Sequence, residues 1–491
     1  MPPQLFAADD KFADVVAALE ARGWRRLPFV GCPKFDLKWT NYAKIAWARV
    51  TPQQLVNHVQ HAVLFSQKDQ LTQLLYAQAA RGDGGQLHVD RCFPRTFDLS
   101  QPGDFFLLKC WFLYSQAVAV LKRSLSESQE VHGAQVDAAV RLVRVVLAGD
   151  DDFFKCWRKE EETGALVAGE EADEWLRLLT SDSGLEKAPL DCERRQEVEG
   201  VLSELKRRDP QFHAVWSVDS NVWICKPSNL SQGRGIELCS SFQGLVEITL
   251  PGGGNDEEMG VRAGNSVSSG VKWVVQKYIE RPLLVQNGRK FDIRQWVLIT
   301  GIEPKPTAFW FDRSYLRFCS RKFELKRLQD RFTHLSNYSV QQYFVPEETA
   351  DEDQRGSETT IGDENFDDFE PMWSSEKFQD TLRHEHGRDV WTETILPQMQ
   401  NTARLSLNAV FPKLKVVGRG FEWLGFDFLI DESHRVWLLE VNVSPDVSHS
   451  TDVTAQLAPK ATADALNVLL DPESSRSPDN EWLPFSLELH Q

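Results

Sequence analysis

A predicted β-hairpin between Phe421 and Asp446 constrains the fold of this chain more than any other stretch. The polar turn Asp431–His434 separates two apolar runs in the sequence FEWLGFDFLIDESHRVWLLEVNVSPD. Apolar runs of this length that are bounded by turn residues are typical of buried strands. The pattern therefore predicts two paired strands inside a sheet.

Three oxygen-bearing side chains lie on this hairpin: Asp427, Glu440 and Asn442. Because side chains alternate between the faces of a strand, Glu440 and Asn442 share one face. A symmetric turn sets Asp427 opposite Leu438, on the same face as Glu440 and diagonal to it, roughly 7–8 Å away. Oxygen ligands of this kind suit Mg²⁺, which usually takes one or two carboxylates and substrate phosphates. We therefore predict a metal site; the alternative is two strand-end carboxylates in ordinary salt bridges.

The composition indicates a globular chain of several domains. Its 491 residues suggest roughly two to four domains, and 42% hydrophobic residues suffice for real cores. The N-terminal MPPQLFAADD does not resemble a signal peptide, and we find no apolar run near the roughly 20 residues that cross a bilayer. The eight cysteines are far apart without a CxxC pair, which argues against a zinc site or a disulfide framework and fits a reducing cytoplasm.

Charge is unevenly distributed along the chain. The net charge of −17 argues against general nucleic-acid binding. However, residues 281–335 contain 12 Lys and Arg against 5 Asp and Glu, whereas residues 347–370 contain 11 acidic residues and one basic residue. The basic segment indicates an anionic ligand or a carboxylate-rich partner, although a charge cluster can also be a solvated surface.

The order of helical and strand patterns predicts an α/β (α+β) fold. We expect an N-terminal α/β domain over 1–65 and a central domain over 66–280 with a helical insertion at about 110–210. The polar part of that insertion, 150–209, is predicted to be surface-exposed. A C-terminal domain follows over 281–470 with an acidic mobile loop at 347–370, and the tail 471–491 is predicted to be loosely held.

Local patterns predict particular elements in the first domain. Apolar spacing favours a helix over Asp10–Arg22. Short strands are predicted near Leu27–Val30 and Ile45–Arg49, and a further helix near Pro52.

Two strand ends are candidate nucleotide contacts. Lys226 ends one strand and precedes the glycine-bearing turn Ser231–Ile236. Glycine lets backbone N–H groups approach a phosphate, and the lysine supplies charge, although a lone lysine here can equally be a surface residue. Val274–Ile279 ends another apolar strand and either presents backbone amides to an adenine edge or is an ordinary strand terminus.

The strand in GRKFDIRQWVLIT is more informative. Alternation places Lys290, Asp292 and Arg294 on one face and Phe291 and Ile293 on the other. Charges on an interior strand must be paired or must bind something. A purely structural network is one explanation, and a ligand-facing triad is the one we favour.

Downstream polar groups complete the candidate site. Arg317 lies in another aromatic strand, and Ser336 and Asn337 follow a short loop. Lysines for phosphates, carboxylates for Mg²⁺ and arginines for a carboxylate together predict a nucleotide-and-metal ligase site, since phosphoryl transfer needs positioning and charge neutralisation. We find no GxSxG or HExxH motif that would indicate a covalent or zinc mechanism.

The order of these motifs resembles the tubulin tyrosine ligase-like family. The resemblance is carried between Asn221 and Leu470 by WICKPSNLSQGRGI, WVVQKYIERPLLV, GRKFDIRQWVLIT, FWFDRSYLRF, HLSNYSVQ, MWSSEKFQ and FDFLID…WLLEVNVSPD. The stretches ALEARGW, QLVNHVQHAVLFSQKDQL and RCFPRTFDL are similar to its N-terminal region. Within the family, ERPLL…KFDIRQW and MWSSEKFQ most resemble the tubulin glycine ligases, especially the monoglycylase branch.

The resemblance implies an ATP-grasp-like ligase with N-terminal, central and C-terminal domains, and it implies a role for each candidate residue. The implied ATP contacts are Lys68, Lys226, Arg234, Gly235, Gln276, Lys277, Tyr278, Ile279, Lys290, Phe291, Asp292, Ser336 and Asn337. The implied magnesium ligands are Asp427, Glu440 and Asn442, and the implied catalytic residues are Lys290, Arg294, Arg317 and Glu440. The two arginines would face the reacting carboxylate or the amino acid.

The implied reaction joins glycine to a glutamate side chain of a tubulin C-terminal tail through an ATP-derived acyl-phosphate. Two alternatives stay open: a glutamate ligase on the same scaffold and a microtubule-binding member that lacks catalysis. We also expect a monomeric protein that binds microtubules but no nucleic acid and no membrane. Its expected location is the cytoplasm and cytoskeleton, in particular the axoneme of a cilium or flagellum.

Overall fold

The computed structural model describes residues 3–82, 88–125, 131–148, 170–180, 187–215, 221–250, 271–303, 305–345, 369–471, 473 and 476–488. Most of the predicted acidic loop and residues 150–169 of the predicted insertion lie outside the described residues. The seven described cysteines are free thiols.

The described strands form sheets of five, four, eight and two strands. The strands are β1 Leu5–Ala8, β2 Arg25–Arg26, β3 Leu37–Trp39, β4 Leu55–Val56, β5 Thr96–Asp98, β6 Val131–His132, β7 Lys187–Ala188, β8 Trp223–Pro227, β9 Glu237–Cys239, β10 Trp273–Lys277, β11 Leu284–Val285, β12 Arg289–Gly301, β13 Thr307–Phe311, β14 Tyr315–Lys322, β15 Met372–Ser374, β16 Arg419–Gly420, β17 Glu422–Ile430, β18 Val436–Val443 and β19 Trp482–Phe485.

The helices cover the faces of these sheets. They are α1 Ala13–Ala21, α2 Lys68–Arg81, α3 Asp104–Ser124, α4 Gly133–Leu147, α5 Glu170–Thr180, α6 Cys192–Arg208, α7 Phe242–Thr249, α8 Arg331–His334, α9 Tyr338–Gln341, α10 Ser375–His386, α11 Leu396–Val410 and α12 Asp452–Leu470. A π-helical turn, Trp391–Ile395, leads into α11. The predicted mixed α/β class is confirmed.

The N-terminal sheet has the strand order β16-β4-β3-β1-β2. The predicted helix near Asp10–Arg22 forms as α1, but no strand forms over 27–30, and 45–49 contains a 3₁₀ turn, Trp47–Arg49. The predicted helix near Pro52 is also wrong, because β4 pairs in parallel with β3 through Leu55 and Leu37. These short elements are decided by tertiary pairing, which overrides local preference.

The central sheet, β5-β10-β8-β9, packs against α3, α4 and α6. Phe112 of α3, Val143 of α4 and Leu205 of α6 share one core with Trp223 of β8. Within the described residues, α3 is long and apolar enough to cross a membrane, contrary to the sequence-based expectation. However, 61% of its most apolar 18-residue stretch is buried inside the protein. It is therefore placed as a core helix.

The segment after α6 is anchored deep in the protein. Arg95 Nη2 donates to Asp209 Oδ1 at 2.5 Å, and Tyr114 OH donates to Asp209 Oδ2 at 2.8 Å. Gln211 Oε1 accepts from the backbone N–H of Arg95 at 3.0 Å. The expectation of a surface-exposed segment up to residue 209 is therefore wrong for its C-terminal part, since α6 buries Val198 and Leu205.

Strand β12 is the centre of the eight-stranded sheet. It pairs with β14 and β13 along one edge and with β17 along the other, so the prediction of an interior strand is confirmed. On one face, Phe291 and Ile293 belong to a large apolar core. On the other face, Trp296 and Leu298 join a second core, and the same face carries the charged residues nearer the start of the strand.

The predicted loose tail is also wrong. β19 pairs with β13, and the indole of Trp482 is 1% exposed. Its Nε1 donates to the carbonyl of Ala461 in α12 at 2.9 Å. The C-terminal segment therefore completes the edge of the main sheet.

Candidate active site

The hairpin of β17 and β18 contains a bulge that changes the expected register. Asp427 lies directly opposite Glu440, whereas Phe428 lies opposite Leu438, which leaves Leu439 as the extra residue. The predicted pairing of Asp427 with Leu438 is therefore wrong. Because of the extra residue, Leu438 and Glu440 point to opposite faces although they are two positions apart. Leu438 packs in the apolar core, and Glu440 lies on the same face as Asp427.

The three predicted metal ligands do meet on this face. Asn442 Nδ2 donates to Asp427 Oδ2 at 3.1 Å and to Glu440 Oε1 at 3.3 Å. In the described part of the chain, no three His, Cys, Asp or Glu side chains form a cluster that could hold a metal ion. This set fits Mg²⁺, which needs only one or two carboxylates beside phosphate oxygens. Asn442 would join as a ligand by turning its amide oxygen inward.

Asp427 is held by a buried network of alternating charges. Arg294 Nε donates to Asp427 Oδ1 at 2.5 Å, and Arg317 Nη2 lies 2.8 Å from Asp427 Oδ2. Arg317 also makes a two-point contact with Asp292 at 2.8 and 2.5 Å. Burial by itself would raise the pKa of Asp427, but the two guanidinium groups outweigh it and lower this pKa to about 2. Asp427 is therefore ionised at neutral pH.

Most of the predicted residues line one cleft. It lies between the central sheet and the main sheet, with side chains from β8, β10, β12, β17 and β18. The predicted residues that line it are Lys68, Lys226, Arg234, Gln276, Lys277, Tyr278, Ile279, Lys290, Asp292, Ser336, Asn337, Asp427 and Glu440.

Five predicted residues do not line this cleft. The ring of Phe291 packs in the core against Phe318 and Phe378, because strand alternation turns it away from Lys290. Arg294 and Arg317 direct Nε and Nη2 to Asp427 and Asp292, which differs from the expectation that they face a substrate. The other two are Gly235, which borders a neighbouring hollow, and Asn442, which contacts the cleft carboxylates.

Two buried lysines in the cleft lack a carboxylate partner. Lys226 Nζ donates to Gln276 Oε1 at 2.6 Å, and Lys290 Nζ donates to Tyr278 OH at 2.9 Å and to the His334 carbonyl at 2.8 Å. Among the described residues, neither ammonium has a carboxylate oxygen within 4.0 Å. Burial lowers the pKa of each lysine to about 8. Such uncompensated cations are costly inside a protein, so the cleft is suited to an anionic ligand.

The other two lysines of the cleft have local partners. Lys68 Nζ donates to the Leu230 carbonyl at 3.0 Å and lies 3.7 Å from Glu440 Oε2. Lys277 Nζ is buried and donates to Glu280 Oε1 at 2.5 Å. Lys277 therefore supplies no unpaired charge to a ligand.

Two backbone N–H groups at the end of β10, which were candidates for binding an adenine edge, already have hydrogen-bond acceptors within the protein. The N–H of Lys277 donates to the Arg95 carbonyl at 2.8 Å, and the N–H of Tyr278 donates to the Val222 carbonyl at 3.1 Å. These two amides are thus not available to an adenine edge. The Gln276 side chain bridges Lys226 and Thr96 instead.

Sequence reasoning missed the apolar walls of the cleft. These walls include Ile224, Ile236, Leu335, Leu429 and Leu439. Apolar residues on strands were interpreted only as core. The position of Leu439 beside Glu440 was the available signal, but its orientation depends on the bulge.

The glycine turn is shaped for close approach of its neighbours. Gly233 and Gly235 both have φ of +69°, a conformation that glycine adopts at low cost. A Cβ on Gly233 would lie 2.8 Å from Val340. Arg331 Nη2 donates to the Gly233 carbonyl, which ties the turn to α8.

Apolar walls, lysines without carboxylate partners and three oxygen-bearing side chains on one face make this cleft suited to a nucleotide and a metal ion. Residues 183–478 match the sequence model of the "Tubulin-tyrosine ligase family". This match covers more than half of the chain, and the chain therefore belongs to that family.

Named relatives point to one branch of the family. The chain is similar to "Tubulin glycylase 3D" of Tetrahymena thermophila, with 26% identity across 95% of this chain and 48% of the relative. It is 34% identical to human "Tubulin monoglycylase TTLL3" over 58% of this chain and 33% of the relative. Human "Protein monoglycylase TTLL8" is 34% identical over 51% of this chain and 26% of its own length. The chain thus spans about half or less of the length of these relatives.

Proposed function

We propose that this protein is an ATP-dependent tubulin glycine ligase that initiates glycine branches. The observation that carries the proposal is the meeting of Lys226 and Lys290 with Asp427 and Glu440 in one cleft between two sheets. That arrangement is compatible with an ATP-grasp-like ligase. The names of the similar proteins support glycine as the amino acid and tubulin as the substrate.

Bound Mg²⁺–ATP would supply the phosphoryl group that converts a glutamate side-chain carboxylate into an acyl-phosphate. The chain's own residues would neutralise charge: Lys226 and Lys290 would bind phosphate oxygens, and Glu440 and Asp427 would hold the cation. Arg294 and Arg317 keep Asp427 ionised and in place. Attack by the glycine amine would form the C–N bond and break the C–O bond to the phosphate, which would leave as inorganic phosphate while one amine proton passes to solvent.

The acidic substrate tail has a complementary basic surface beside the cleft. Lys322, Lys326 and Arg331 are exposed on the segment 321–331. The Arg331 contact to Gly233 places this segment next to the glycine turn of the cleft. We propose that these cations bind the tubulin tail despite the net charge of −17. Binding should weaken as salt rises, because exposed charges are screened.

The buried charge network leaves neither Arg294 nor Arg317 free to bind the side-chain carboxylate of a glutamate donor. A glutamate donor requires an additional cation for its side chain. The two arginines near the metal ligands, Arg294 and Arg317, are both bound to aspartates. A small donor without a side-chain charge makes no such demand.

The proposal is tested by incubating the purified protein with tubulin, ATP and either labelled glycine or labelled glutamate. We expect glycine incorporation, mapped by mass spectrometry to single glutamates of the C-terminal tails. Glutamate incorporation alone would support the rival glutamate ligase. Tight microtubule binding with no incorporation of either amino acid would support the non-catalytic alternative.

The proposed setting is also open to direct tests. We propose a monomer in the cytoplasm and on the cytoskeleton, with enrichment in the axoneme of a cilium or flagellum. Light scattering after size exclusion measures the first property, and imaging of the tagged protein in ciliated cells measures the second. A stable dimer or an absence from axonemes would contradict the respective proposal.

A further inference from the structure

We propose that His58 is a positioning residue for the divalent cation, and this inference rests on the metal site of the proposed function. His58 follows β4 of the N-terminal sheet, far in sequence from the proposed ligands, and its imidazole is 1% exposed. Through Glu422 and Ser444 it joins the two strands that carry Asp427 and Asn442.

The imidazole of His58 links the two strands of the β17–β18 hairpin at the end opposite their turn. His58 Nδ1 lies 2.8 Å from Glu422 Oε1, at the start of β17. His58 Nε2 lies 3.1 Å from Ser444 Oγ, just after the end of β18. The second carboxylate oxygen of Glu422 accepts from the backbone N–H of Val59 at 3.0 Å. One side chain therefore links both strands at the end opposite their turn.

The hydrogen-bond partners fix the orientation of this ring. His58 Nε2 also lies 3.0 Å from the carbonyl of Thr40. Nε2 is thus within reach of the Thr40 carbonyl, the Ser444 hydroxyl and Asn57 Nδ2, while Nδ1 is directed to Glu422. The ring cannot turn over without losing these contacts, and both His58 and Glu422 are buried.

The contact to Ser444 matters because the chain turns sharply there. Ser444 has a φ of +57°, a left-handed conformation that is uncommon for residues other than glycine and needs surrounding contacts to persist. After this turn, Pro445 lies close over Gly425. A Cβ atom added to Gly425 would lie 2.8 Å from Pro445 Cβ and 3.1 Å from Arg294 Cδ. Gly425 is in turn the register partner of Asn442.

The geometry therefore gives a short chain of contacts from the N-terminal sheet to the metal ligands. His58 contacts Ser444, the turn at Ser444 places Pro445 over Gly425, and the Arg294 side chain that binds Asp427 lies over the same glycine. Groups that orient metal ligands without touching the metal typically change metal affinity by about 10–100-fold. His58 is expected to act in this way on cation affinity.

The test measures Mn²⁺ binding by electron paramagnetic resonance, with the protein saturated by a non-hydrolysable ATP analogue. His58→Gln is expected to weaken Mn²⁺ binding about tenfold, and Ser444→Ala in the same direction. Because both residues act through one contact, the double variant should bind Mn²⁺ no more weakly than His58→Gln alone. Ser444→Ala removes only one partly buried hydroxyl, so it decides the question if His58→Gln fails to fold.

Leu19→Ala is the matched control for general destabilisation of the N-terminal unit. Leu19 is fully buried in α1 and makes no hydrogen bond to His58, Glu422 or Ser444. It should lower the Tm while leaving Mn²⁺ affinity unchanged. Equal Mn²⁺ affinity in wild type, His58→Gln and Ser444→Ala would overturn the inference alone, and parallel losses in Leu19→Ala would do the same. Absence of Mn²⁺ binding by the wild type would overturn the proposed metal site itself.

Discussion

Single side chains in the cleft carry charge that the protein does not neutralise. The two buried lysines, Lys226 and Lys290, have pKa values lowered to about 8 by burial. Below pH 8 each is charged in both the folded and the unfolded chain. Between pH 8 and the ordinary lysine value of 10.5, the folded chain binds fewer protons, so the cost of these lysines to stability is relieved as pH rises. An anionic ligand removes the same cost by favouring the charged form.

Nucleotide binding at pH 8 should therefore take up protons. An anion beside Lys226 and Lys290 raises their pKa values, so each partly neutral amine becomes fully charged. Calorimetric titration with ATP in two buffers of different ionisation enthalpy measures this uptake. Lys226→Met should reduce it and should weaken binding by about tenfold or more, which is the range for a charge-assisted hydrogen bond. The same titration at pH 6.5 is the control, because the lysines are already charged there. Binding without proton uptake at pH 8 would contradict the assignment of these lysines.

Glu440 is the residue at which the proposed metal role is most directly tested. Glu440→Gln keeps the shape of the side chain and removes the charge, so glycine incorporation should fall by about 100-fold or more. Stability should change little, since Glu440 is partly exposed and its cationic neighbour Lys68 is 3.7 Å away. Glu432→Gln is a matched control on the same hairpin, since Glu432 pairs with Arg281 at the surface. Unchanged modification by Glu440→Gln would show that the magnesium assignment is wrong.

At the scale of elements, the hairpin of β17 and β18 brings two cores and the site together. The bulge at Leu439 lets Leu438 pack in the core while Glu440 faces the cleft. Gly425 leaves room for the aliphatic part of Arg294 and for Pro445. The positions of the proposed metal ligands therefore depend on the bulged residue Leu439 and on a glycine, Gly425.

Gly425→Ala should impair catalysis more than folding. Its Cβ would lie 2.8 Å from Pro445 and 3.2 Å from Arg294 Nε, which pushes the guanidinium away from Asp427. We expect a loss of about 1–3 kcal/mol in the free energy of unfolding, typical of overpacking, together with loss of most glycine incorporation. Gly200→Ala is the control, because Gly200 lies in α6 with no atom within 4 Å of an added Cβ. Chemical denaturation and the labelled-glycine assay measure the two quantities. Full activity in Gly425→Ala would show that the position of Arg294 is not critical.

The two-residue alternation of side chains predicts the strands of the site well. It does not predict which strands, far apart in the chain, lie side by side. The faces of β12 follow from local alternation, and the structure confirms them. The meeting of Asp427 with Glu440 and Asn442 depends in addition on the bulge at Leu439, which no local pattern predicts. The partners of Arg294 and Arg317 lie on other strands, so no local pattern could assign them. The short strand β4 forms where β3 and β16 lie beside it.

At the scale of the whole molecule, segments distant in sequence complete the same sheets. β16, from late in the chain, pairs with β4 of the N-terminal sheet. β19, near the end of the chain, pairs with β13 of the main sheet. The N-terminal and C-terminal parts of the chain thus share a hydrogen-bonded sheet. The contact between His58 and Ser444 also joins these two parts.

Removal of the segment after Leu470 should therefore destabilise the protein. The segment buries Trp482 and Phe485, and deletion of such aromatic side chains costs about 3–5 kcal/mol each. We expect a Tm that is lower by many degrees in a chain ending at residue 470. Trp482→Ala should reproduce a large part of the loss, whereas Leu483→Ala, on the neighbouring 44% exposed position, should not. Calorimetric unfolding measures both, and an unchanged Tm in the shortened chain would contradict the role of β19.

The sequence by itself determined which residues share a face and which chemistry they have in common. Alternation along β12, and between Glu440 and Asn442 on β18, is a short-range property, so it survives in any fold that contains these strands. The tertiary structure decided the register of Asp427 against Glu440, the partners of the two arginines and the lowered pKa values of Lys226 and Lys290. These properties depend on contacts and burial between strands far apart in the chain, and only the assembled sheets supply them.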